Sequence, residues 1–150
     1  MAPFSDDTVV GELTATWSDS GEERPRAGTT DRERKVTFRV DAVNYLSDGL
    51  ALRLRDFRLL AGGAAIDTAA VADCTLAPGA TPRVLAGSVW VAASQARAIG
   101  GFQVERLAVP LSERGRAFYR EFLLLQRPDA AAIDAELAAY AAEPPCTSRQ

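Results

Sequence analysis

A chain of 150 residues with 47% hydrophobic and 25% charged side chains has the length and balance of one globular domain, and lacks the charge excess and apolar poverty of a disordered one. With 17 basic against 20 acidic side chains the net charge is -3, which gives no field to draw in a polyanion, so nucleic acid is not an expected partner. No apolar run approaches the roughly 20 residues of a membrane-spanning helix, and the absence of histidine removes Ser-His-Asp and Cys-His nucleophiles together with every imidazole metal site.

Thr8 to Trp17 is rich in β-branched residues and alternates in its second half, which predicts a first strand. Ser18 to Arg34 carries Gly21, Pro25 and Gly28 among charges and hydroxyls without an apolar period, and reads as a long exposed loop. Its basic runs, Arg24 to Arg26 and Arg32 to Lys35, are interleaved with Glu22, Glu23, Asp31 and Glu33, which fits a solvated surface better than a phosphate-binding patch. Val36, Phe38, Val40 and Ala42 then alternate with Thr37, Arg39 and Asp41, the cleanest period of two in the chain. After turn residues Asn44 to Gly49, Leu50, Leu52 and Leu54 alternate with Ala51, Arg53 and Arg55.

Phe57 to Leu60 continues the extended pattern, Gly62-Gly63 interrupts it, and Ala64 to Ala72 is too alanine-rich to assign. Leu76-Ala77-Pro78-Gly79 predicts a turn. Val84 to Ala93 reads as a largely buried strand, and after Gly100-Gly101 so does Phe102 to Leu111, with Leu107, Val109 and Leu111 on one face. Neither glycine pair has the spacing or the following lysine of a phosphate loop.

Beyond Ser112 apolar residues recur at three and four positions. Phe118, Phe122 and Leu125 form one stripe, with Tyr119 and Leu123 one step over, so residues 116–125 read as a helix, with a final strand as the alternative because of Gly115. Phe118, Tyr119 and Phe122 are expected to dock it. Pro128-Asp129 opens a second helix with Ile133, Leu137 and Tyr140 on one face, a candidate interaction face that must bury itself against the body or against a second molecule. The boundaries read from the sequence are a sandwich over 8–111, a helical extension over 112–143 and a flexible tail over 144–150, all one domain.

Cys74 and Cys146 allow one intramolecular bridge, which would need an oxidising compartment, and two unlinked thiols, one in the core and one on a frayed tail, is the reading preferred. Carboxylates at Asp41, Asp48, Asp56, Asp67 and Asp73 sit where aspartate serves strand ends and turns, so a carboxylate-based hydrolase is only a distant alternative. Asp6-Asp7 and Asp48 lack a spaced series of calcium ligands. Trp17 and Trp90 are expected in the core. No catalytic, metal-binding or cofactor-binding residue is expected.

Val43-Asn44, Asp56-Phe57-Arg58-Leu59, Leu76-Ala77-Pro78-Gly79 and Gly87-Ser88-Val89-Trp90-Val91 occur in the order seen in telokin-like immunoglobulin-fold domains of bacterial secreted proteins and lipoproteins, which the stretch Val9 to Leu111 resembles. The resemblance implies an immunoglobulin-like β-sandwich of about seven strands, here with a helical C-terminal extension, and a non-enzymatic binding or structural role outside the cytoplasm, through a protein partner or self-association. Tyr45 to Leu50 and Gly101 to Leu107, followed by a helical segment, are also similar to PilZ domains, small β-barrels that bind cyclic dinucleotides. That resemblance implies a cytoplasmic regulatory module. The chain lacks the RxxxR pair before the first barrel strand, and Arg32 and Arg34 are wrongly spaced for it, so such a module is expected to be degenerate for the ligand.

Overall fold

The computed structural model describes residues 11–28 and 31–146 together with the backbone of 3–5 and 8–9. Along these residues the chain forms β1 (Pro3–Ser5), β2 (Thr8–Val9), β3 (Gly11–Pro25), β4 (Arg32–Asn44), β5 (Leu50–Ala61), β6 (Ala64–Asp67), β7 (Ala72–Leu76), β8 (Arg83–Ala92), α1 (Ala93–Ala98), β9 (Ile99–Pro110), α2 (Glu113–Gln126) and α3 (Ala130–Ala141). Strands β3, β4 and β8 make one antiparallel sheet in that order. In the other, β5 pairs with β9 along one edge, while β6 and β7 share its opposite edge end to end. β1 and β2 form a small pair apart from both sheets, so Thr8 and Val9 belong to that pair and not to the first sandwich strand.

The alternation seen in the sequence is what joins the sheets. Val36, Phe38, Val40 and Ala42 from β4 turn to one side and meet Leu50, Leu52, Leu54, Phe57 and Leu59 from β5, with Leu85 and Val91 from β8, in one buried cluster. Each such side chain taken fully out of water contributes about 1.5–3 kcal/mol. The fold is a β-sandwich, and Phe57 ties its layers, its ring lying 5.0 Å from that of Phe38 across the core and 5.8 Å from that of Phe102 on β9.

β5 keeps its apolar residues inward by changing phase once. Leu50, Leu52 and Leu54 occupy even positions and Phe57, Leu59 and Ala61 odd ones, which a regular period of two forbids. The register against β9 slips between Arg55 and Arg58, and Asp56 there adopts φ +53°. An extra residue in a left-handed conformation is a β-bulge, and it returns the second half of the strand to the core face.

The opposite face of β5 is covered at Ala51. Ala51 and Val109 lie under Leu123 of α2 and Ile133, Leu137 and Tyr140 of α3, in a second buried cluster. Helix α2 starts on Ser112, whose hydroxyl accepts from the Gly115 amide at 3.0 Å. A Cβ at residue 115 would stand 2.6 Å from the Pro110 Cβ, so the glycine that argued for a strand is required for the helix to leave β9 so tightly. The Asp129 side chain caps α3 through the Ala132 amide at 3.1 Å. The result is three layers, two sheets and a helical layer outside the second.

Four expectations need correction. Residues 18–34 are no loop: β3 and β4 continue as a ribbon through Pro25↔Arg32, with a bulge between Asp19 and Glu23 where Gly21 has φ +82°. Both of its faces meet water, so no apolar period exists to announce it. Charge pairing across the strands holds it instead, through Arg34 with Asp19 at 2.6 Å and Glu23 at 3.2 Å, and Arg24 with Glu33 at 3.0 Å. Phe118 and Phe122 do not dock α2: they are exposed, and the neighbouring stripe of Tyr119 and Leu123 packs on the sheet. Trp90 lies outside the core, beneath the Arg24 guanidinium at 4.2 Å, whereas Trp17 packs against the core. The fourth is the tail over 144–150, of which 144–146 is fixed to β7 and 147–150 lies outside the described residues.

A left-handed backbone costs an L-residue about 1–2 kcal/mol, more for a β-branched side chain. Asp56→Gly is therefore expected to keep wild-type stability, while Asp56→Val loses about 1–2 kcal/mol. Urea denaturation of the two variants checks this, and equal midpoints would contradict it.

Candidate functional site

Helix α3 ends facing Arg53, an outward-pointing residue of β5. The Arg53 guanidinium lies 4.3 Å from the centre of the Tyr140 ring and bonds the Glu143 carboxylate at 2.5–2.6 Å. Burial under the helical layer pushes the Tyr140 phenol up to about 12. This anchor turns the chain back along the outer edge of β7. There the Thr75 amide donates to the Pro144 carbonyl at 2.8 Å and the Cys146 amide donates to the Thr75 carbonyl at 2.7 Å, a parallel bridge in which the tail acts as one more strand.

That path brings the two cysteines together. Cys74 and Cys146 form a disulfide with Cα atoms 4.8 Å apart, which corrects the expectation of two unlinked thiols. The expectation failed because it assumed a frayed tail. The docking of Ile133, Leu137 and Tyr140 on the second sheet, with the Arg53 anchor, carries Cys146 to β7 across 72 residues of sequence. The same docking settles where that apolar face goes: it covers the body and is not presented to a partner.

The tail borders β7 at one margin of the second sheet and β8 is the last strand of the first, and among the described residues these two do not pair. Between them lies a cleft of about 570 Å³, within the roughly 300–1,000 Å³ typical of ligand-sized hollows. Val84, Leu85 and Gly87 from β8 line one wall, Ala72 and Cys74 from β7 with Pro144 and Pro145 the other. A second hollow of about 380 Å³ adjoins it over the first sheet and shares Arg83, Ala86 and Gly87. Gly87 lies across from Phe38 in the β4–β8 pair, and a Cβ there would stand 3.0 Å from the ring.

Two charged side chains line the larger cleft among the described residues, and they differ in their partners. Asp73 is held by both nitrogens of the Arg55 fork at 2.6 and 2.9 Å, a bond that keeps its carboxyl below the usual carboxylate value of 3.8. Arg83 is half-buried, and its Nε lies out of water with no acceptor. A buried donor without a partner is uncommon in native structures and points to a missing one. Sequence reasoning passed over Arg83 because a lone arginine after a proline carries no motif; only the folded chain, which shuts its Nε off from water, makes it unusual.

The other candidate carboxylates are dispersed. Asp41 pairs with Arg39 at 3.4 Å, Asp67 with Arg58 at 2.7 Å, Asp48 lies in the β4–β5 turn, and Asp56 forms the bulge. Asp6 and Asp7 lie outside the described residues. Asn44 closes the β4–β5 turn as its place in the sequence implies. Buried, it donates to the carbonyls of Asp48 at 2.7 Å and Leu76 at 3.0 Å and accepts from the Leu46 amide at 2.8 Å. Among the described residues no helix is long and apolar enough to cross a membrane.

No protein-family model, curated protein or solved structure matches this chain.

In the chain-entropy account, a cross-link closing a loop of this length stabilises by about 4 kcal/mol. Cys146→Ser is expected to lose a large part of that in urea denaturation, and dithiothreitol should lower wild type to the level of the variant. A variant as stable as oxidised wild type would contradict the staple.

Proposed function

We propose that this domain is a non-enzymatic binding module that works in an oxidising, extracytoplasmic compartment, and that it engages another polypeptide in the cleft between β8 and the tail. The observation that carries the reading is a disulfide-stapled wall facing a strand edge that no other strand among the described residues occupies. Structural disulfides persist outside reducing cytosol, and here the bridge fixes the very segment that forms one side of the cleft. Open strand edges attract further strands, and proteins that leave one uncovered commonly use it for recognition.

The residue chemistry supports binding over catalysis. The chain has no histidine, and Asp41, Asp67 and Asp73 are each engaged by an arginine instead of being paired with another acid. The lining mixes polar and apolar surface around one uncommitted cation, a composition suited to holding a ligand in place.

Titration of isotope-labelled protein with a degenerate pool of heptapeptides tests the proposal. Amide shifts are expected to concentrate in residues 70–74 and 83–87, and mass spectrometry should recover the pool chemically unchanged. Shifts confined to other surfaces, or conversion of the peptides, would overturn it.

A further inference from the structure

Resting on that reading, we infer that the ligand is an extended peptide that pairs with the free edge of β8 and presents a carboxylate to Arg83. Three separate observations converge on this chemistry. β8 is hydrogen-bonded to β4 through nine residue pairs from Glu33↔Ala92 to Asp41↔Arg83, which occupies one edge only, and its residues 83–87 line the cleft with the other. An added strand satisfies alternate backbone amides and carbonyls along such an edge, a recognition mode that needs no particular side chain. The molecule already uses it once, since Pro144 to Cys146 pair with Thr75 on the facing wall.

The second observation is the orphaned guanidinium. The Nε of Arg83 is shut off from water and meets no oxygen, while the other charged residue of the cleft, Asp73, is taken by Arg55. A guanidinium presents its donors as a planar fork, and a carboxylate matches that fork with two parallel bonds. An acidic side chain or chain terminus arriving beside β8 supplies the acceptor that the folded chain does not.

The third is the remainder of the lining. Val71, Val84, Pro144 and Pro145 offer apolar contact around the one cation. In a strand, successive side chains point to opposite sides. A peptide alternating apolar and polar residues therefore places its apolar set on this surface and one acid at Arg83. Arg83 also lines the adjoining hollow beside Arg39, whose charge is already met by Asp41 at 3.4 Å, so Arg83 is the cation left for an incoming acid.

Two heptapeptide pools provide the test, identical except that the central position is fixed as glutamate in one and glutamine in the other. Amide shifts of residues 83–87 are followed in wild type, in Arg83→Gln and in Arg83→Met, the last keeping the aliphatic stem. The glutamate pool is expected to bind wild type about tenfold more tightly than the glutamine pool. Both variants should erase that preference without altering the remainder of the spectrum, and N-methylation of alternate peptide amides should abolish binding. Equal binding of the two pools, or a preference that survives in both variants, would overturn the carboxylate assignment while leaving a peptide-binding cleft in place. Undiminished binding of the N-methylated pool would overturn the strand pairing. No shifts at the cleft with either pool would overturn this inference and the reading beneath it together.

Discussion

Burial of the inward face of β5, together with Ala51 on its outward face, is the constraint on which the other features depend. Its inward leucines and Phe57 hold the two sheets together, and its outward Ala51 and Arg53 receive the helical layer. A strand whose two faces meet different neighbours tolerates no slip of register, because a slip of one residue exchanges the two faces. The Asp56 bulge performs the single change of phase that the sequence demands, and so keeps Phe57 and Leu59 in the core. From the outward face the consequences run on to the cleft: Arg53 fixes Tyr140 and Glu143, these aim the tail at β7, and the tail becomes a wall.

The two open margins of the sandwich are then treated differently. The edge of β7 is closed by the tail, through two backbone hydrogen bonds and a covalent link. Among the described residues the edge of β8 stays open, with a half-buried arginine that no carboxylate meets and a glycine packed against Phe38. Uncovered edges invite unwanted pairing, and native proteins normally blunt them. An edge left open beside a stapled wall, with a cleft of ligand size between them, is better suited to a selected partner than to solvent.

Much of the fold was legible in the sequence wherever one face of an element is buried and the other wet. Val36 to Ala42, Leu50 to Leu54 and the Ile133, Leu137, Tyr140 face all occupy the elements and cores that their spacing implies. The ribbon over 18–34 was illegible because both faces are solvated and cross-strand charges hold it, a signal that depends on a register unknown until the strands are paired. Two helical stripes competed on α2, and composition favoured the aromatic one, yet the crossing over Val109 buries the stripe that holds Leu123. The site was the least visible part. Arg83 and the disulfide acquire meaning only from distant residues that the fold brings close, and neither stands in a motif.

The central claim is that the outer edge of β8 is unpaired in the free protein, and hydrogen exchange along that strand tests it most directly. Over residues 84–91 the amides directed at β4 should exchange slowly and the intervening ones rapidly, an alternating pattern of protection. Uniformly slow exchange would mean that a further strand already covers the edge, and the account of the cleft would fall with it.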